Sequence, residues 1–247
     1  MKNLSLFTLA LVIAAAPLAA QMPTAPAPKA SPAPAATGAV PSGWKYREDR
    51  STSSADPDGK GSIKIVSAGS GYHIETPTAA VFWNPANTVT GNYTLKGSFT
   101  INERSDHVNF YGFVFGGKDL DGAEQSYTYF LVAQDNPPGA RFGAPQPLGS
   151  WLIKTRKGEV TAPTFTIPGA AGRSGTFAHA SVKIPDASGK ATNALEVRVQ
   201  SDKVDFVVNG TVVHTAKRSE VVTDGIWGVR SNHLLNINAD GLSVTKQ

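Results

Sequence analysis

The chain has 247 residues, a formal net charge of +4, 24 glycines, 17 prolines and no cysteine. The lack of cysteine excludes a disulfide framework and any thiol nucleophile. The small positive charge is dispersed, its densest cluster being Lys154-Thr-Arg156-Lys157-Gly158, which argues against a nucleic-acid partner and for a solvated strand end.

The first twenty residues read as an export signal. Lys2 supplies the positive start, Leu4 to Ala16 is an apolar run too short to span a bilayer, and Pro17-Leu-Ala-Ala20 closes it in small residues. Cleavage is expected after Ala20, which leaves no stable membrane span and a secreted or periplasmic chain; a retained anchor is the alternative. Residues 21–43 are almost all Pro, Ala and small polar residues, so they are expected to form an extended disordered tether, either a spacer or a simple leader. One domain is expected over residues 44–247, held together by its core alone.

From Trp44 onward the apolar residues recur with period two or in short runs broken by Gly, Pro, Asn and Asp. In chain order the spacing predicts strands over 62–67, 71–76, 79–84, 92–101, 107–117, 126–134, 150–156, 177–184, 194–200, 204–209, 211–216, 225–231 and 234–245. Asn209-Gly210 supplies the positive φ angles of a type I′ turn, so the strands on either side should pair. Before it, Leu195, Val197 and Val199 alternate with Glu196, Arg198 and Gln200, which makes 194–216 a three-stranded meander with one wet face. The fold class expected is all-β, an antiparallel two-sheet sandwich of jelly-roll type.

The stretches Tyr111–Asp135, Trp151–Gly158, Leu195–His214 and Gly225–Val244 follow one another in an order that resembles the concanavalin A-like lectin/glucanase superfamily. Within it the chain is most similar to secreted bacterial domains related to laminin G modules and to 3-keto-disaccharide hydrolase-like domains. The resemblance covers roughly residues 44–245 and implies a jelly-roll sandwich; the superfamily hosts lectins, glucanases, adhesion modules and lyases alike.

Asp119-Leu-Asp121-Gly-Ala-Glu124 has the spacing of the acidic triad of laminarinase-like glucanases in that superfamily. Strand residues at i and i+2 share a face, and retaining glycosidases need their two carboxyl groups about 5–5.5 Å apart. The flanking glycines also suit a loop, where the same carboxylates could hold Ca2+ or simply form a polar turn. Asp56-Pro-Asp58-Gly59 raises a weaker calcium thought, with a plain turn as the alternative. His73, His107, His179, His214 and His233 show no metal-ligand spacing.

Sugar rings present apolar C–H faces to aromatic side chains and hydroxyls to polar ones. The candidates for such a site are Trp83, Tyr111, Gln125, Tyr127, Tyr129, Trp151, Lys154, Arg156, Arg230 and Asn232, with two or more exposed rings lining a groove or platform. The strand carrying Tyr127 and Tyr129 is apolar on both faces, one of which must be core. The reading is a secreted, non-catalytic module for a glycan or another surface ligand that requires no cofactor, with Ca2+ possible. A glycoside-cleaving hydrolase or lyase, and a laminin G-type adhesion module, stand as alternatives.

Overall fold

In the computed structural model, residues 40–49, 61–103, 109–133, 149–164 and 176–247 are described. Their strands, in chain order, are β1 (Lys45–Glu48), β2 (Lys64–Ala68), β3 (Gly71–Thr76), β4 (Ala80–Val89), β5 (Tyr93–Ile101), β6 (Phe110–Lys118), β7 (Ser126–Ala133) and β8 (Ser150–Lys157). They continue with β9 (Val160–Pro163), β10 (Phe177–Ala178), β11 (Ala191–Val199), β12 (Lys203–Val208), β13 (Thr211–Lys217), β14 (Gly225–Ser231) and β15 (Leu235–Lys246). The one helical element among the described residues is a single 3-10 turn at Arg218–Glu220.

The strands form two antiparallel sheets. Sheet I has the order β1-β4-β14-β6-β7-β8, with β9 and β10 sharing the far edge of β8. Sheet II has the order β13-β12-β11-β5-β15-β3-β2. This is the antiparallel two-sheet β-sandwich that the alternation predicted.

The core lies between the sheets and is built from one parity of each strand. Phe113 and Phe99 meet edge to face at 5.0 Å between ring centroids, Phe130 and Phe206 do so at 5.2 Å, and Trp151 stacks on Phe177 at 4.7 Å. Leu195, Val197 and Val199 are fully buried, as their alternation requires. Val40 also packs against this core, ahead of Trp44.

The hairpin at Asn209-Gly210 forms as predicted. Both residues have positive φ, 50° and 81°, and β12 pairs with β13 across them and with β11 on its other side. Three local expectations change. Of 177–184, only Phe177–Ala178 is strand; the rest turns, with the Val182 amide donating to the His179 carbonyl at 3.1 Å. β4 runs on through Pro85 to Val89, because Pro85 lies beyond the end of β1 and within a register shift opposite β14, where a missing N–H costs no ladder bond. Two four-residue strands were not anticipated: β1, which is mostly charged, and β9, whose Val160 and Ala162 alternate over too short a span to mark a strand.

Candidate functional site

Strand parity sends a second set of side chains out of the far face of sheet I. On β7, Phe130 and Val132 enter the sandwich core, whereas Tyr127, Tyr129 and Leu131 point away from it. On β8, Trp151 and Ile153 point in, leaving Leu152 and, by alternation, Lys154 and Arg156 on the outer side. Register aligns Lys45, Trp83, Gly228, Val114, Tyr129 and Lys154 in one row across the sheet, and Arg47, Val81, Arg230, Gly112, Leu131 and Leu152 in the next. Val81, Trp83, Val114, Leu120, Tyr127, Tyr129, Leu131 and Leu152 pack there into a second apolar cluster.

Ion pairs close over this cluster. Lys45 Nζ lies 2.6 Å from Asp121 Oδ2. Arg47 donates through Nη1 to the Gly122 carbonyl and through Nη2 to Glu159 at 3.3 Å. Asp49 accepts from Arg156 Nη1, from Arg230 Nη1 and from the Tyr127 hydroxyl at 3.0 Å. Arg156 also donates to Glu159 and to the Gly158 carbonyl, each at 2.8 Å. The edge of sheet I at β1 is thus tied to the β6–β7 and β8–β9 turns, although four strands separate β1 from β8. Sheet I must therefore curl around its outer face.

The electrostatics follow from burial. Arg47, Asp49 and Arg156 are buried, and ions in such a place persist only when paired and hydrogen-bonded. Desolvation opposes the charge on Arg230, but the Asp49 carboxylate outweighs it and holds its pKa above the ordinary arginine value. Burial raises the pKa of Tyr127 and Tyr129, so both phenols stay protonated, and Tyr127 donates to Asp49. The Arg230 guanidinium lies 5.0 Å from the Tyr129 ring centroid, a cation–π contact. Its Nε is buried without a hydrogen-bond partner. Lys154 is half-buried, and desolvation, with Arg230 adding to it, holds its pKa below the ordinary lysine value.

Six of the ten predicted ligand residues come together on this face: Trp83, Tyr127, Tyr129, Lys154, Arg156 and Arg230. Gln125 is buried at the same end and donates to the Gly158 carbonyl at 3.3 Å. Asn232 sits just past β14, where its amide donates to the Phe110 carbonyl at 2.9 Å and its own carbonyl accepts from Thr76 at 2.6 Å. Tyr111 and Trp151 lie on the opposite side, inside the sandwich core, and burial pushes the Tyr111 phenol up to about 12. The exposed aromatic platform is corrected: Trp83, Tyr111, Tyr127, Tyr129 and Trp151 are each between 0 and 5% exposed. Arg47, Asp49 and Glu159 were missed, because nothing local in their sequence marks them as partners of residues more than a hundred positions away.

The acidic motif forms the turn that its glycines suit, and the strand placement a glucanase triad needs is not met. Asp119, Asp121 and Glu124 lie on the exposed turn between β6 and β7, not on a strand. Asp119, at φ 49°, folds its carboxylate over Gly122, where a Cβ would lie 2.0 Å from Oδ2, and accepts from the Glu124 amide at 3.1 Å. Asp121 is engaged by Lys45, which holds its pKa below the usual carboxylate range. Among the described residues no three His, Cys, Asp or Glu side chains are grouped to hold a metal ion. His73 lies between Asn238 and Glu75, His179 contacts Ser181, and His214 stacks on Trp151. His107 and Asp56–Gly59 lie outside the described residues. A cavity of about 590 Å³ sits elsewhere, between the 180–190 turns and the start of β11. Its carboxylate, Asp186, is spent on the Ser188 hydroxyl and amide, so we place no chemistry there.

No protein-family model and no curated protein matches the sequence. Solved structures do match the fold. A carbohydrate-binding module (CBM66) from Bacillus subtilis aligns over 83% of this chain and 96% of its own, at 8% identity and a TM-score of 0.50. A Bacillus subtilis protein of unknown function with a galectin-like fold aligns over 82% of this chain and 89% of its own, at 13% identity and a TM-score of 0.53. At such identities the likeness establishes the architecture, a lectin-type β-sandwich, and leaves function to the side chains.

Proposed function

We propose that the chain is an exported, non-catalytic module that binds glycan through the outer face of sheet I. The observation that carries this reading is the convergence of Trp83, Tyr127, Tyr129, Lys154, Arg156 and Arg230, from four strands, on one face away from the core. The matching architecture of a carbohydrate-binding module supports it. Because the rings are buried, they form a floor, and the groups that reach a ligand are the polar heads above them. Recognition therefore works through hydrogen bonds and charge more than through sugar stacking on an open platform.

A binding role also fits the state of the carboxylates. Asp49 and Glu159 are both engaged by arginine, so neither is placed as a free general acid or nucleophile. Export is supported by Lys2 with its following apolar run. No helix among the described residues is long and apolar enough to cross a membrane.

A glycan array with the purified exported protein tests the reading. Binding to at least one glycan should be lost in Arg230→Gln and kept in Glu196→Ala, a change on the outer face of sheet II, with both variants confirmed as folded by circular dichroism. Silence across a broad array, or loss of binding in Glu196→Ala alone, would refute it.

A further inference from the structure

The geometry points to an acidic glycan as the ligand, with Lys154 and Arg230 together receiving a carboxylate or sulfate group. This inference rests on the reading of the outer face of sheet I as the glycan-binding surface.

Charge is unbalanced on that face. Asp49 and Glu159 between them engage three arginines, Arg47, Arg156 and Arg230. Among the described residues no carboxylate pairs with Lys154, though it sits half-buried beside Tyr129, and the like charge of Arg230 acts on it. A desolvated, uncompensated ammonium is unfavourable in a folded chain. Leucine or methionine at position 154 would extend the apolar row of Val114 and Tyr129 without that cost. A charge held against stability in this way is characteristic of a ligand site.

Arg230 completes the geometry. Asp49 takes Nη1, and Tyr129 covers the guanidinium face. What remains is the side-on fork of Nε and Nη2, with Nε buried and unpartnered. That edge presents two parallel N–H groups, matched to the two oxygens of a carboxylate or sulfate. Lys154 adds a second positive charge, and the protonated Tyr129 cannot repel an anion as a phenolate would. The described surroundings offer this fork no carboxylate other than Asp49, which is already shared among Arg156, Arg230 and Tyr127.

Calorimetric titration with oligogalacturonides, heparin-derived sulfated oligosaccharides and neutral malto-oligosaccharides of matched length tests the inference, with inorganic sulfate as the small-anion probe in thermal melts. One of the acidic series should bind at least tenfold tighter than the neutral one in low salt, and that margin should shrink as salt rises. The stronger series tells carboxylate from sulfate. Lys154→Met should raise the melting temperature of the free protein and weaken acidic binding at least tenfold. Equal affinity for neutral and acidic ligands would overturn the acidic assignment and leave the glycan reading standing. Stabilisation by sulfate with no oligosaccharide bound would overturn both. A Lys154→Met protein that melts lower and binds acidic ligand as well as the parent would show that Lys154 is structural and overturn the inference.

Discussion

The outer faces of the two sheets are both set by strand parity and behave differently. On sheet II the paired charges find their neighbours close by in the sheet. Arg198 pairs with Glu196 at 2.7 Å, Lys64 with Glu75 at 2.9 Å, and Thr100 bonds Thr192 at 2.8 Å, all between partly or fully exposed residues. On sheet I the partners are remote: Asp49 is bound by Arg156, 107 residues on, and by Arg230, 181 residues on. The side chains of Asp49 and Arg156 are only 4% and 9% exposed. Coulomb attraction is the same in both places, but water screens it on sheet II, whereas desolvation magnifies it on sheet I and makes every unpaired charge expensive.

The sharpest way to break this comparison is Asp49→Ala. It strands Arg156 and Arg230 beside one another without their shared carboxylate, and the loss should be about 3–5 kcal/mol in chemical denaturation. A loss under about 1 kcal/mol would mean that this face is as wet as that of sheet II.

An intermediate effect is expected at Asp205, the most enclosed carboxylate on the outer side of sheet II. It accepts from Thr215 at 2.6 Å and Gln200 at 3.1 Å and pairs with Lys203 at 3.0 Å. Asp205→Ala should cost about 1–3 kcal/mol at neutral pH. Desolvation acts to raise the Asp205 pKa, but the bonds from Thr215 and Lys203 outweigh it and leave it lowered. A carboxylate with a depressed folded-state pKa contributes stability above its unfolded value, about 3.9, and loses it as pH falls through the folded value. The difference between parent and variant should therefore shrink below about pH 4 in urea melts run across pH. A gap unchanged down to the acid limit would contradict the assignment.

The smallest effect is expected for Glu196→Ala. It removes a partly exposed pair with Arg198 and should change stability by no more than about 0.5–1 kcal/mol, with a difference that fades in high salt. A larger, salt-insensitive loss would erase the contrast between the two faces.

Much of this architecture was legible in the chain. Alternation in 71–76, 92–101 and 194–200 marked strands within a residue or a few of their ends, and Asn209-Gly210 announced its turn, because period and turn chemistry are local properties. β1 was not legible: Lys45-Tyr-Arg-Glu48 is four residues of mostly charged sequence, and its strand state comes from pairing with β4. For the site, the sequence pointed to the right group of strands. It could not tell Trp151, which faces the core, from its outward neighbour Lys154, nor could it show that Tyr127 and Tyr129 would be buried.

By itself, then, the sequence determined an all-β sandwich, its main hairpin and the residue types from which a polar face could be made. Only the tertiary structure decided which parity of the doubly apolar strands faces the core. It alone brought Asp49 to Arg156 and Arg230, and left Lys154 without a counter-charge among the described residues. The physical reason is range: backbone alternation is fixed within a few residues, whereas the curl of a sheet, and so the company each charge keeps, depends on the packing of strands far apart in the chain.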